Sequence, residues 1–460
     1  MLLLNDFRIV DESSDFRGSV LVENGFIKEI FENGNASRDD RSRPAVCPRI
    51  NSQTAAGMVI EGKGNLVLMP AFVDLHAHFR EPGFGEVSVK ETLESACLAA
   101  AAGGYGTVVA MANTRPPVDS IDRAALLKNR ADALGLIDLR PVLSLTKGME
   151  GKELSEITKL PGGDREGFVR LLSEDGRDVA DDSLFLAAFF EARRTGLSVS
   201  CHCDLGGEYA AVRRAIDLAA RAGARIHIAH VSTKEALDLI RDIKTRRNGG
   251  GDAAAGAGGF DLTCEITPHH LALDEKDAAG SRVANFGVAD FGAAGSSAFS
   301  FGNVAPPLGS GADRLALLEA LGDGTADAIA TDHAPHTQAD KASGAPGFTG
   351  LETAFGVCHS FLAAPEVPAG PGKLSLKKLS SLMSASPARV LGFGEKGPLG
   401  RGKIAPGYRA DLVVVDTEAA WTVVPENFKS RGKNSPFGKR KLTGKVLLTI
   451  HQGRVVFDGR

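Results

Sequence analysis

Nowhere in this chain of 460 residues does an apolar run reach the ~18 residues that a membrane-spanning helix needs. Charge of one sign is equally scarce. Lysine and arginine number 53 and aspartate and glutamate 57, a net charge of −4, which points to neither nucleic acid nor an anionic membrane surface. There are six cysteines, and none stands in a Cys-x-x-Cys pair. Cys201-His202-Cys203 is too tight to fold both thiols onto one metal. The opening MLLLNDFRIVDESSD is apolar for only four residues and has no basic segment, so no secretory signal is expected. Scattered thiols then read as the reduced cysteines of a cytoplasmic protein. What is present is ordinary globular material: 43% hydrophobic and 24% charged residues, with 54 glycines that predict many loops. The length allows two or three domains.

Both ends are rich in short strands. LLLNDFRIVD, GSVLVENGFIKEIF and GNLVLMP open the chain, and ADLVVVDTE and GKVLLTIHQGRVVFDGR close it. Alternating β-branched residues around Asn-Gly and Gln-Gly are hairpin signals. Residues 1–65 and 396–460 are therefore expected to pair into one small β-sandwich. The stretch 66–395 alternates strand and helix. Eight candidate strands run from LVLMPAFVDLHAH through GTVVAMANT, DLRPVLSLT, GFVRLLSED, LSVSCHCD, ARIHIAHVS and DLTCEITP to ADAIATDHA. Eight such units predict a (β/α)8 TIM-like barrel of the α/β class. A doubly wound open sheet would usually carry a Gly-rich nucleotide loop after its first strand, whereas here that strand ends in histidines. Two segments read as insertions. NGGGDAAAGAGG (248–259) is a low-complexity surface loop. The Gly/Ala/Phe-rich stretch 279–303 reads either as disorder or as a lid over the site.

In such a barrel the C-terminal ends of the strands converge. His76 and His78 end the first strand, two apart, so both side chains point to the same side. His202 ends the fifth strand, His230 the sixth and Asp332 the eighth, while Asp175 follows the fourth. A lone buried histidine is more often a satisfied core residue than a ligand. Four of them at three strand ends, with aspartates, suit zinc or a similar divalent ion. His227 reads as structural, and for His269 and His270 bracing is favoured over direct ligation. His359 and His451 fall outside the group.

The motifs VDLHAHFREPG, GGYGTVVAMANTRPP, SEDG, CHC, IAHVSTKEAL, CEITPHHLAL, APPLG, ATDHAPHT and PGFTGLETA resemble those of the dihydroorotase family of amidohydrolases. So do SPARVLGF and GKIAPGYRADLVVVD, and the resemblance covers nearly the whole chain apart from the two insertions. HFREPG with ATDHAPH is its specific part, because other cyclic amidases share the histidines but not that arginine. The resemblance implies metal ligands at His76, His78, His202, His230 and Asp332, with one or two zinc ions. Some relatives bridge their metals with a carbamylated lysine, which EGFVRLLSED lacks; the match to a DDG turn gives that place to Asp175, with Glu174 the alternative. Arg80, Asn113 and His336 match the family's substrate contacts. The family's further asparagine before PPL is replaced here by Ala305, with Asn303 two residues earlier.

The resemblance also implies a reaction, the reversible cleavage of a cyclic amide: dihydroorotate plus water gives N-carbamoyl-aspartate, in pyrimidine synthesis. Asp332 would be the catalytic acid and base. A substrate carboxylate calls for a cation, and the planar fork of Arg80 suits it; the plainer reading of Arg80 is a salt bridge with Glu81 or Glu86. Two alternatives remain: another cyclic amidase, such as a dihydropyrimidinase, hydantoinase or allantoinase, and a non-catalytic homologue that assembles with aspartate transcarbamoylase. A homo-oligomer is expected.

Overall fold

The structure is a computed structural model that describes residues 1–32, 57–81, 90–163, 167–248, 260–278, 303–370, 372–394 and 396–460. Apart from their end residues 248 and 303, the two insertions, the expected surface loop and the segment read either as disorder or as a lid, lie outside the described residues, as does Glu86.

Sixteen strands are present among the described residues. The first five are β1 (Leu2–Val10), β2 (Asp15–Glu23), β3 (Phe26–Glu32), β4 (Met58–Glu61) and β5 (Val67–Pro70). Then come eight more: β6 (Phe72–Ala77), β7 (Tyr105–Ala110), β8 (Asp138–Pro141), β9 (Leu171–Ser173), β10 (Ser198–Cys201), β11 (Arg225–Ile228), β12 (Asp261–Ile266) and β13 (Ala328–Ile329). The last three are β14 (Leu412–Thr422), β15 (Lys441–His451) and β16 (Arg454–Asp458).

The two ends of the chain share one sheet, ordered β16-β15-β14-β5-β1-β2-β3, with β4 beside β1. Its hairpins turn on Asn24-Gly25 and Gln452-Gly453, where both residues of each pair have positive φ. That is the backbone that matches the twist of the flanking strands, and glycine takes it at no steric cost. Leu4, Phe7, Ile9, Val20, Leu68, Leu412, Val414 and Ile450 fill the sandwich's own core.

The stretch read as a single first strand is in fact two. β5 pairs antiparallel with β14 in the terminal sheet, with Pro70 opposite Leu412. Pro70 has no N–H to give a ladder, and the chain crosses to the barrel at Ala71, whose N–H bonds to Asp411 O at 2.9 Å. Only β6 continues into the barrel.

β6, β7 and β8 form one parallel set and β9 to β13 another. Bridges between Leu143 and Leu172 and between Ala77 and His333 join the two sets. Ser173 N bonds to Leu143 O at 3.2 Å, and His78 N to His333 O at 2.8 Å. The eight strands thus close into a (β/α)8 barrel, which leaves no open edge and brings all their C-terminal ends to one rim. Its strands are buried almost throughout. Helices Leu93–Ala102, Ile121–Leu134, Asp182–Thr195, Glu208–Ala222, Lys234–Asn248 and Gly311–Asp323 cross over outside. Asp182–Thr195 shows how sequence bounds them: Asp181 accepts from Ser183 N and Leu184 N, and Gly196 stops the helix at φ 77°. Between β8 and β9 the described residues of the crossover form only the short turns Lys147–Met149 and Glu156–Lys159.

After β14 the chain leaves the terminal sheet and returns to the barrel rim. Lys429 N and Ser430 N bond to Glu352, Arg431 N bonds to Glu91, and the Ser430 hydroxyl donates to Glu91. Burial pushes the Glu352 carboxyl up to about 7 from 4.5, against the pull of those two N–H groups. The folded chain therefore holds a proton there that the unfolded chain releases. This contribution to stability is full below the ordinary carboxyl range and is lost as pH rises through about 7. Glu352→Gln should remove that dependence: the fall in melting temperature of wild type between about pH 4.5 and 7 should flatten in the variant. An unchanged slope would contradict the assignment.

Candidate metal centre

Five of the side chains expected at the barrel rim come together around a sixth, Asp175. Its carboxylate lies 3.2 Å from His76 Nε2, 3.6 Å from His78 Nε2, 3.6 Å from His202 Nδ1 and 3.7 Å from His230 Nε2. Asp332 Oδ1 faces the same space, 3.1 Å from His78 Nε2 and 3.6 Å from His76 Nε2. All but His202 are buried, and its side chain is only 9% exposed. Two overlapping groups have their ligand atoms within 4.8 Å of one another: His76, His78 and Asp332, and His76, Asp175 and His230. Glu174, the alternative to Asp175, points away and accepts from Leu145 N, Thr146 N and the Thr146 hydroxyl.

The backbone is bent to make this arrangement. His230 has φ 31°, Asp332 φ 47° and Arg80 φ 62°. Non-glycine residues enter that region at a cost of order 1–3 kcal/mol each, and such costs persist chiefly where a site requires them.

Glu265 and Asp74, which the sequence reading missed, join His227 and Asn113 in holding the imidazoles in place. Glu265, on β12, accepts from both His76 Nδ1 (3.1 Å) and His227 Nε2 (3.0 Å), and His227 Nδ1 pairs with the Thr263 hydroxyl at 2.8 Å. Against the effect of burial, the carboxylates of Asp175 and Glu265 push the His76 pKa up; a cation that replaced the Nε2 proton would leave the other on Nδ1, donated to Glu265, with the Nε2 lone pair facing the cluster. Burial alone would raise the Glu265 carboxyl, but the bonds from His227 and His76 outweigh it and hold it at about 2. On the opposite side His78 Nδ1 bonds to Asn113 Oδ1 at 2.9 Å, which frees its Nε2 in the same way. Asn113 Nδ2 in turn donates to Asp175 at 3.1 Å. Beneath the site Asp74 accepts from His76 N and from the Thr331 backbone and hydroxyl. An acidic residue inside the apolar run DLTCEITP was the available signal for Glu265.

The donor set fits a divalent cation. His76 Nε2, which faces Asp175 and Asp332, is buried without a hydrogen-bond partner, and His202 Nδ1 and His230 Nε2 meet 3.0 Å apart beside it. Burial would raise the Asp175 and Asp332 carboxyls, yet the imidazoles around them hold both well below the usual range, so both are anionic. Neutral imidazole nitrogens and carboxylates around one space are the ligands of zinc and similar ions. Glu265→Gln keeps the shape but loses the charge that orients His76. It should weaken metal binding about 10- to 100-fold in chelator competition; unchanged affinity would contradict the role given to Glu265.

Arg80 and His336 form an adjoining pair. Arg80 donates to His336 Nε2 at 3.2 Å and to Pro335 O at 3.4 Å. Glu81 pairs with Arg130 instead, so the plainer reading of Arg80 as a partner of Glu81 does not hold. Burial and the Arg80 charge push His336 down to about 3, leaving it neutral. Since its Nε2 accepts from Arg80, its proton sits on Nδ1, which has no hydrogen-bond partner. Asn303 faces another way: its amide bonds to Gly344 O. His270 is braced by the Thr267 hydroxyl and Pro306 O, and His269 packs edge-on against Phe348. Neither joins the two groups of ligand atoms.

A closed parallel barrel with a histidine and aspartate cluster at the C-terminal rim defines a class, and a family model agrees with it: the amidohydrolase family matches residues 67–456, and the chain belongs to that family. Within it the relatives are narrower. The dihydroorotase of Thermoanaerobacter sp. (strain X514) is 34% identical over 99% of this chain and 97% of its own. That of Anaeromyxobacter dehalogenans (strain 2CP-1 / ATCC BAA-258) is 35% identical over 100% and 98%. At that level over whole chains, the dihydroorotases are the branch into which this protein falls. L-Hydantoinase (dihydropyrimidinase) from Arthrobacter aurescens superposes with a TM-score of 0.74 over 100% of this chain and 96% of its own. At 21% identity that likeness shows the shared fold.

Proposed function

We propose that this chain is a zinc-dependent dihydroorotase, interconverting N-carbamoyl-L-aspartate and L-dihydroorotate in pyrimidine (UMP) synthesis. The observation that carries it is the convergence of His76, His78, His202 and His230 on Asp175, with Asp332 opposite and Arg80 two residues past His78. Those six ligands would hold one or two zinc ions, and Asp175, facing all four imidazoles, is the residue able to serve two. When bound, the metal supplies hydroxide at neutral pH and polarises the amide carbonyl.

The chain's own groups do the rest. Asp332, kept anionic, accepts the proton lost by water and returns it to the departing ring nitrogen; in ring closure it takes the proton from the ureido nitrogen. Arg80 stays charged, although burial lowers its pKa, because guanidinium is too basic to lose its proton here. It receives the substrate carboxylate as a bidentate fork. His336 stands beside it, paired through Nε2, and Asn113, whose amide donates to Asp175, is the further residue given to substrate binding.

Turnover of carbamoyl-aspartate and dihydroorotate beside hydantoin, dihydrouracil and allantoin tests the reading. The first two should be the preferred substrates. Preference for any of the others would make the chain a different cyclic amidase, and absence of both bound metal and activity after zinc is added would favour a scaffold.

The same reading carries three further proposals. One is the three-part division expected at 1–65, 66–395 and 396–460, with its first boundary moved to Ala71, because β5 pairs in the terminal sheet. The second is a homo-oligomer, with aspartate transcarbamoylase as a partner, which sedimentation with and without that enzyme would test. The third is a cytoplasmic location; no helix among the described residues is long and apolar enough to cross a membrane.

A further inference from the structure

Arg80 does not hold its own position. Its guanidinium rests on Pro335 O and His336 Nε2, both on the loop after Asp332. That loop bonds directly to its neighbour, Ala334 N to Phe348 O at 2.7 Å, and a side chain from the C-terminal part of the chain fastens both. Asn434 Oδ1 accepts from His336 N at 3.0 Å and from the Thr349 hydroxyl at 2.8 Å. Its Nδ2 donates to Ala334 O and to Gly347 O, each at 3.0 Å. Its backbone carbonyl accepts from Thr349 N at 3.1 Å. Both acceptor sites and both donors of the amide are thus in use, and they tie the loop 334–336 to the loop 347–349.

The approach is close as well. Gly432, two residues earlier, lies so near Pro335 that a Cβ there would meet Pro335 Cβ at 2.5 Å. The segment that carries Gly432 and Asn434 is itself pinned to Glu91 and Glu352. A residue of the C-terminal part of the chain therefore sets the geometry of a loop at the barrel rim.

We propose that Asn434 is a positioning residue for substrate recognition: by clamping residues 334–336 it aligns Pro335 O and His336 with Arg80 and so shapes the carboxylate site. This rests on the reading of Arg80 and His336 as that site. Asn434 touches no side chain of the metal cluster in the hydrogen bonds described, so its loss should weaken binding more than chemistry.

The test is kcat, KM and bound metal for wild type, Asn434→Ala and Asn434→Asp, with carbamoyl-aspartate and dihydroorotate. Asn434→Asp keeps the acceptor and loses both donors, and it serves if the alanine variant does not fold. The expected result is a KM raised about tenfold or more, kcat within about threefold, and metal content unchanged. An unchanged KM, or kcat and metal content falling together, would overturn the proposal. The imidazole nitrogen shifts of His336, measured by NMR without substrate, give an independent reading. Wild type should show one tautomer, protonated on Nδ1, and Asn434→Ala a mixture; a single tautomer in both would equally overturn it. If wild type turns over neither substrate, the functional reading fails, and the His336 signals still decide whether the clamp exists.

Discussion

Asp332→Asn is expected to lower kcat about 10³-fold in both directions at saturating zinc, the scale of a lost general acid–base group. Asparagine fills the same volume and can still face His78 Nε2, which lies 3.1 Å from Oδ1 in the wild type. What it cannot do is accept a proton. Asp332 is buried, and burial alone would make it reluctant to ionise; the imidazoles of His78, His76 and His230 reverse this and keep it an anion. A base so placed is unprotonated throughout the neutral range and gains its proton only during the reaction. Steady-state rates for both directions, at several zinc concentrations, check this. A variant that kept more than about a tenth of wild-type kcat would place the proton transfer elsewhere.

Arg80→Ala should reduce kcat/KM for both carboxylate substrates about 10²- to 10³-fold, chiefly through KM, as expected when one half of a buried charged pair is removed. Arg80→Lys should recover only part of the loss, because an ammonium cannot offer two parallel N–H bonds. The backbone at Arg80, with φ 62°, turns the side chain away from the strand that ends in His78 and toward Pro335 and His336. Binding of dihydroorotate measured by calorimetry separates recognition from chemistry. Unaltered affinity in Arg80→Ala would end the carboxylate argument.

Much of this site was legible because its ligands obey a rule of position. In a barrel the ends of strands meet whatever their separation in sequence, so His-x-His, His202, His230 and Asp332 could be gathered once eight strands had been counted. Asp175 was legible for the same reason, since it lies two residues past the end of β9.

The supporting groups obey no such rule. Glu265 meets His76 across 189 positions and Asn434 meets His336 across 98, and neither spacing comes from periodicity. Nothing local marks Asn434 as a clamp, because its partners are mostly backbone atoms of two other loops. The division of 66–78 into β5 and β6 was hidden for a different cause. Both halves are uniformly buried, and the run from Val67 to Val73 is apolar across the joint, so hydrophobic pattern alone could not reveal that one belongs to the terminal sheet and the other to the barrel. Only Pro70 marked the joint.

All of the chemistry depends on Asp175 as the common partner of four imidazoles. Metal content and carbamoyl-aspartate cyclisation, measured together on wild type and Asp175→Ala, test this most directly. Wild type should purify with zinc and cyclise the substrate; the variant should lose metal and activity in parallel, with activity down about 10³-fold or more and the barrel still folded by circular dichroism. A folded Asp175→Ala that kept its full metal complement and its rate would contradict the account.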